Sequence, residues 1–466
     1  MDIAHKVKVI DEFQVSPPPG SLPNTISLPL TFFDLPWLLI RNTHRMQRLF
    51  FYTYPDISLQ NFTQTLIPSL KSSLSLTLQH FFPFVSNLIL PPQQPEKPYI
   101  LFTQGNSITF LVAEYPGDFN HVKSDQAKDV RILHPFAPRL LSTRLSPDGT
   151  RVDPLLAVQV TLFPNQGVCI GIEFHHVVAD GKAVHHFMKS WALICRSNDY
   201  LYSQEFLMPS FDRSSIEDPY ELESRSLQQW RDWHSSCEVF EIPTNDDIYT
   251  DKVRSTFVLK RSQIERLKQY FSNKSTIGMA HFSSFVVTCS FSWVCLIKSL
   301  KSSDNGGDKL CCHCFVADCR NRFGISLPTN YFGNCLAALF PMVERNELVA
   351  HDGLIVAARS IVNCIKELES NGALREIEKW VTITDGQSLG SSIFTTVAGS
   401  PKMGVYQTDF GWGCPVKTEV THIDLSSTIS LGDCRNGEGG IEIQLALKRE
   451  EMDAFTEHFE EGLKLL

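Results

Sequence analysis

Several things are missing from this 466-residue sequence, and each absence narrows its class. No window approaches the ~18 uninterrupted apolar residues that a membrane-crossing helix needs. No strongly basic run interrupts a balance of 42 basic and 51 acidic residues, a net charge of −9, so nucleic acid and anionic membrane are not expected as partners. The opening stretch, MDIAHKVKVIDEF, has neither the apolar core nor the small-residue cleavage site of a secretory signal. A cytoplasmic protein is therefore expected. The thirteen cysteines are odd in number and scattered, which suits free thiols in a reducing compartment. The sequons at Asn61 and Asn273 would then be silent. No internal repeat of roughly 20–50 residues appears.

One cysteine cluster, Cys311, Cys312, His313 and Cys314, has the composition of a metal site. But LCCHCFVAD reads as a strand, whose neighbours point to opposite faces and cannot converge on one ion. No metal is expected.

What the sequence does contain, 43% hydrophobic and 20% charged residues, describes a folded α/β protein too long for one core. Arg48–Tyr54 reads as a buried strand, and Asn61–Phe82 as a helix ended by Pro83. Leu155–Phe163 alternates, PNQG turns the chain, and Gly167–Phe174 alternates again, so the two strands form a hairpin. Residues 197–252 lose periodicity and read as a long surface crossover. A second α/β region follows, with a helix capped by Ser262, an apolar helix over Ser283–Lys298, another over Leu348–Ser370, and a final strand and helix. The division expected is 1–200, a crossover over 201–252, and 253–466.

The organising stretch is Gly167–Trp191, a strand, a turn and a helix, with HHVVADG between them. His176 stands at the end of a buried strand, where neutral imidazole can take a proton near neutral pH. Asp180, four positions on, either neighbours it or points inward and holds the turn, and Gly181 permits the bend. His185 and His186 lie on the helix and read as structural. Arg320 follows a buried strand; a buried arginine needs a carboxylate, and Asp180 is one candidate, a surface position the alternative. YQTDFGWGCP contains Asp-Phe-Gly, but no glycine-rich loop, lysine strand or HRD accompanies it, so a kinase is excluded.

Four motifs, LPLTFFD at 28–34, HHVVADG at 175–181, YFGNC at 331–335 and DFGWG at 409–413, agree in order and spacing. In them the whole chain resembles the BAHD family of plant acyl-CoA-dependent acyltransferases. QRLFFYTYP, LQHFFPF and HVVADGKAVHHFMKSW are most similar to its malonyltransferases of flavonoid glucosides. The resemblance implies two chloramphenicol-acetyltransferase-like domains of mixed sheet plus helices, joined by a crossover loop, with a channel between them. It implies a monomer that binds no cofactor and uses acyl-CoA as co-substrate. His176 matches the general base, and Asp180 a structural aspartate paired with Arg320. Asp409, Gly411, Trp412 and Gly413 match a supporting loop remote from the reacting atoms. Ser283 and Ser284 match a helix start near the CoA phosphates, where Lys252, Arg254 and Lys260 could assist. Lys182 is a candidate for a malonyl carboxylate, with a solvated lysine as the alternative. The expected activity is transfer of malonyl to a sugar hydroxyl of a phenolic glucoside. A hydroxycinnamoyl donor and a non-catalytic binding protein of the same fold are the competing readings.

Overall fold

A computed structural model describes residues 6–464, apart from 40–44, 93–95, 198–200, 202, 237–248, 275–281, 301–308, 323 and 385–391. The glycine-rich loop after the Ser284–Ser299 helix and most of the IPTNDDIYTD stretch lie outside the described residues.

The hairpin forms from Leu156–Phe163 and Gly167–His175, and every residue of both strands is buried. Both faces are covered, so the residues of the second, more polar face, Gln159, Thr161 and Glu173, are buried as well. Val168, Ile170 and Ile172 pack toward the helices Ile67–His80 and Gly181–Arg196, whereas Cys169 packs with Phe51, Phe119 and Phe136 on the other face. The strands lie centrally in a six-stranded mixed sheet ordered Lys8–Val15, Ile108–Glu114, Leu156–Phe163, Gly167–His175, Arg45–Thr53 and Lys417–Val420. A five-stranded antiparallel sheet runs from Thr25–Pro29 to Arg144–Leu145 beside it.

The second half repeats the plan with an eight-stranded mixed sheet around the apolar helix Ser284–Ser299. Each large sheet borrows from the other half. Lys417–Val420 pairs with Arg45–Thr53, and the short strand Lys128–Asp129 pairs with Lys252–Leu259. The polar strand Lys417–Val420 is buried because its charges meet partners: Lys417 Nζ reaches Asp125 at 2.7 Å and Thr256 at 2.6 Å, and Glu419 receives Arg254 at 2.7 Å.

Several expectations need correction. The crossover carries a helix, Leu222–Ser236, and is not only surface: Leu222 enters the second core while Leu227 and Trp230 enter the first. The long helix begins at Leu59, passes through a π-helical turn at Phe62–Leu66, and ends at His80 before Phe81 breaks the geometry. Ser262 is not a cap, because the helix Arg261–Lys274 starts one residue earlier and Gln263 Oε1 receives the Lys260 N–H at 2.8 Å. The Leu348–Ser370 segment divides into Arg345–Val349 and Gly353–Asn371. His313 bonds Thr395 at 2.8 Å and stacks on Trp293. No group placed to hold a metal ion occurs among the described residues, and no described helix is long and apolar enough to cross a membrane.

Candidate active site

The chain leaves Gly167–His175 through one 3-10 turn, His176–Val178, and enters the helix Gly181–Arg196 at Asp180. Asp180 Oδ1 caps that helix by accepting the Ala183 N–H at 3.0 Å. Its Oδ2 accepts Arg320 Nη1 at 2.8 Å and the Cys335 N–H at 3.1 Å. Both charged side chains are 1% exposed. Burial works against the Arg320 charge, but Asp180 and Asp318 outweigh it and raise its pKa. Arg320 Nη2 also donates to the Tyr331 and Gly333 carbonyls, which fastens the YFGNC turn to the histidine-bearing turn. Gly181 has no positive φ, so the bend does not require it. A Cβ there would lie 2.6 Å from Met403 Cε, the end of a flexible side chain that can move aside.

His176 is 6% exposed and stacks on Trp37, with ring centroids 3.4 Å apart and planes 9° from parallel. Trp380 meets Trp37 edge-on at 5.4 Å. The His176 Nδ1 lies 3.1 Å from Asn334 Oδ1. The Asn334 amide nitrogen faces acceptors alone, namely Asp34 Oδ1 at 3.0 Å, His176 O at 2.9 Å and Val177 O at 3.1 Å. That set fixes the amide orientation, so its oxygen faces the imidazole and Nδ1 must carry the proton. Nε2 is left with the lone pair a general base needs. Burial lowers the His176 pKa to about 4, against smaller raising effects of its own carbonyl, Asp180, Asn334 and Asp34. The ring is therefore neutral at physiological pH.

The loop at 409–413 is built separately. Asp409 Oδ1 accepts the Gly411 and Gly413 N–H groups at 2.8 and 2.9 Å, and both glycines have positive φ. The Asp409 carbonyl accepts Arg196 Nη1 at 2.8 Å. Trp412 stacks between Phe410 and Tyr54. Arg196 ends the 16-residue helix that Asp180 begins, so the loop stands roughly 24 Å from the histidine turn.

The remaining sequence-based site residues are scattered. Ser283 caps Ser284–Ser299 by accepting the Val286 N–H at 3.2 Å, and it is exposed there with half-exposed Ser284 beside it. Lys260 is exposed. Lys252 Nζ donates to the Asp424 carbonyl at 2.8 Å. Arg254 corrects an expectation: it is 2% exposed and committed to Asp424 and Glu419, so it does not face a ligand. Lys182 pairs with Asp318 at 3.0 Å in an exposed ion pair. Asn334, Asp34 and Trp37 were not singled out from the sequence, although the first two sit inside quoted motifs. The available signal was an amide in YFGNC and a lone charge at the end of LTFFD, each among mostly apolar residues.

The site is thus a buried, neutral histidine with a fixed tautomer, held where two mixed-sheet halves meet, with Nε2 chemically able to accept a proton. The chain belongs to the Transferase family, the BAHD acyl-CoA-dependent acyltransferases, whose model matches residues 5–462. It is an acyl-CoA-dependent O-acyltransferase, with acyl-CoA as co-substrate. A coumaroyl-CoA:anthocyanidin 3-O-glucoside-6''-O-coumaroyltransferase of Arabidopsis thaliana is 37% identical, over 98% of this chain and 97% of its own. A malonyl-coenzyme A:anthocyanin 3-O-glucoside-6''-O-malonyltransferase of Dahlia pinnata is 35% identical, over 100% of this chain and 99% of its own. The crystal structure of vinorine synthase shares the fold, with a TM-score of 0.69 at 20% identity over 96% of both chains.

Proposed function

We propose that this enzyme transfers malonyl from malonyl-CoA to the 6''-hydroxyl of glucose on a flavonoid or other phenolic glucoside. The observation that carries the chemistry is the His176–Asn334 hydrogen bond, which leaves Nε2 free to act. Nε2 takes the proton of the sugar hydroxyl as its oxygen attacks the thioester carbonyl. A C–O bond forms, the carbonyl oxygen becomes an oxyanion, and collapse breaks the C–S bond. The imidazolium then returns its proton to the departing thiolate. General base assistance of this kind is worth about 10²–10⁴-fold. Stacking on Trp37 supports the imidazolium as it forms, since a cation over an indole face is favourable.

A malonyl donor brings a free carboxylate and calls for a cation. Lys182 is one candidate, because an exposed pair such as Lys182–Asp318 is cheap to displace. Arg48 is the other. It lies in the strand Arg45–Thr53, paired in register with Ile172, and its guanidinium makes no ion pair with a described residue. Burial lowers its pKa to about 10, and Asp433 and Tyr406 offset part of that. A cation so desolvated gains from an anionic ligand. The second reading, a coumaroyl donor, draws on the wall of Trp37 and Trp380 at the histidine and on the coumaroyltransferase relative.

A donor panel decides. Malonyl-, coumaroyl- and acetyl-CoA are offered with a flavonoid 3-glucoside to wild type, His176→Ala and Arg48→Gln. Malonylated product, abolished in His176→Ala and lowered more than tenfold in kcat/KM by Arg48→Gln, is expected. Coumaroylated product alone establishes the second reading. No product from any donor refutes both.

A further inference from the structure

The polar chain behind His176 continues beyond Asn334. Asp34 Oδ2 accepts two hydrogen bonds, from the Thr31 N–H at 2.9 Å and the Thr31 hydroxyl at 3.0 Å, and forms an ion pair with Arg213 Nη1 at 3.1 Å. Its Oδ1 accepts the Asn334 amide at 3.0 Å and the Asn334 backbone N–H at 3.3 Å. Asp34 is fully buried, and the Arg213 side chain is 7% exposed. Arg213 comes from the crossover, where it also donates to the Pro29 carbonyl. Thus Arg213, Asp34, Asn334 and His176 form one ordered line, from a cation in the crossover to the base.

We propose that Asp34, clamped by Arg213, is a positioning residue that sets the proton position on His176 through Asn334. The proposal rests on His176 being the base. Its physical content is a rule of polarity. As a carboxylate, Asp34 can only accept, so the Asn334 amide nitrogen must point to it, the Asn334 oxygen must point to Nδ1, and Nε2 stays unprotonated. Reversing the polarity at one end should reverse it along the line.

Asp34→Asn does this with almost no change of shape. The two Thr31 donors and the Arg213 cation call for the single oxygen of the substituted side chain at the Oδ2 position. The new amide nitrogen must then face the Asn334 amide nitrogen and N–H, donor against donor. Turning the Asn334 amide over relieves the clash with its side chain, at the cost of its hydrogen bonds to the His176 and Val177 carbonyls. It also brings the Asn334 amide nitrogen to Nδ1, which pushes the imidazole proton to Nε2 and removes the base. Asp34→Ala loosens the line without reversing it. A residue that served only the fold would give the opposite ranking, since an asparagine fills the site better and keeps an oxygen for Arg213.

The expected result is an inverted order. Urea midpoints should run wild type, then Asp34→Asn, then Asp34→Ala. The kcat values should run wild type, then Asp34→Ala at roughly tenfold lower, then Asp34→Asn at roughly a hundredfold lower, the size of one or two lost charge-assisted hydrogen bonds. KM for both substrates should stay within about twofold. With ¹⁵N-histidine labelling, the His176 ring is the signal missing from His176→Ala. Its Nε2 should be unprotonated in wild type and protonated in Asp34→Asn. Asp34→Asn more active than Asp34→Ala, or an unchanged Nε2 signal, overturns the proposal. Asn334→Ala cuts the line while sparing the Asp34–Arg213 pair, so unchanged kcat there also overturns it, even if neither Asp34 variant folds. Full activity in His176→Ala would instead remove the base assignment beneath it.

Discussion

The Asp180–Arg320 pair should be one of the costliest contacts to break. Asp180→Ala removes three things at once: the cap on Gly181–Arg196, the acceptor for the Cys335 N–H, and the partner of a buried guanidinium. The cap is worth ~1 kcal/mol. An unpartnered buried N–H costs ~1–3 kcal/mol. Stranding one member of a buried ion pair costs ~3–5 kcal/mol, an upper bound here because Asp318 still meets Arg320 Nη1 at 2.9 Å. These terms share atoms, so the total should be nearer ~5 kcal/mol than their sum, a large fraction of an ordinary stability of ~5–15 kcal/mol. Asp180→Asn keeps a single acceptor oxygen, for the cap or for Arg320 and the Cys335 N–H but not both, and should lose ~3 kcal/mol. The decisive measurement is a cycle with Arg320→Met, read by urea unfolding. The double variant should be less destabilised than the sum of the singles by ~2 kcal/mol, because the buried Asp180–Arg320 attraction is lost only once. Additivity within ~0.5 kcal/mol would refute the buried-pair argument. A stable but inactive Asp180→Asn would refute the strut and point to a direct part in the chemistry.

Two further outcomes follow from the geometry. Burial holds His176 at about 4 and His313 and His422 at about 3, all below their ordinary value of 6.5. Their stability contribution is thus complete above pH 6.5 and lost as pH falls toward 4, since the unfolded chain takes up the protons first. The loss at pH 5 should be about 2 kcal/mol per histidine, visible as a lower urea midpoint than at about pH 7.5, while kcat/KM falls little because the base is still unprotonated. An unchanged midpoint would contradict neutral burial. At the remote loop, Asp409→Asn keeps an acceptor for Gly411 and Gly413 and should behave nearly as wild type, whereas Asp409→Ala should open the loop to proteolysis and raise KM for the acyl-CoA several-fold. Equal behaviour of the two would show that those hydrogen bonds do not hold the loop.

What could be read from sequence was whatever announced itself as a period. The alternation in Gly167–His175 and the apolar stripe of Gly181–Arg196 belong to elements buried by their own residues, so they were legible. Leu222–Ser236 was not, because its few anchors, Leu222, Leu227 and Trp230, are diluted by charge and divide between two cores. Lys417–Val420 was invisible for the opposite reason. Its Lys, Thr and Glu are buried, and the partners that make this possible are distant in sequence. At the site, His176 and Asp180 declared themselves by spacing, and Arg320 by following a buried strand. Asn334 and Asp34 did not, because a tautomer is a property of three-dimensional hydrogen-bond direction. Gly181 lies at the bend, but its backbone angle does not demand glycine, and the neighbour a Cβ would meet is the flexible end of Met403.

The borrowed strand has a consequence for how the enzyme comes into being. Gln47, on the strand that receives Lys417–Val420, hydrogen-bonds His422, 375 positions further on. At ribosomal speeds of roughly 5–20 residues per second, that partner emerges about 20–75 s later. Throughout that interval, the sheet bearing His176 exposes an unpaired edge, the surface most prone to wrong pairing. The sheet bearing His176 is thus closed late, and a chain interrupted before residue 417 would hold His176 on five of its six strands, with Arg45–Thr53 left as a bare edge.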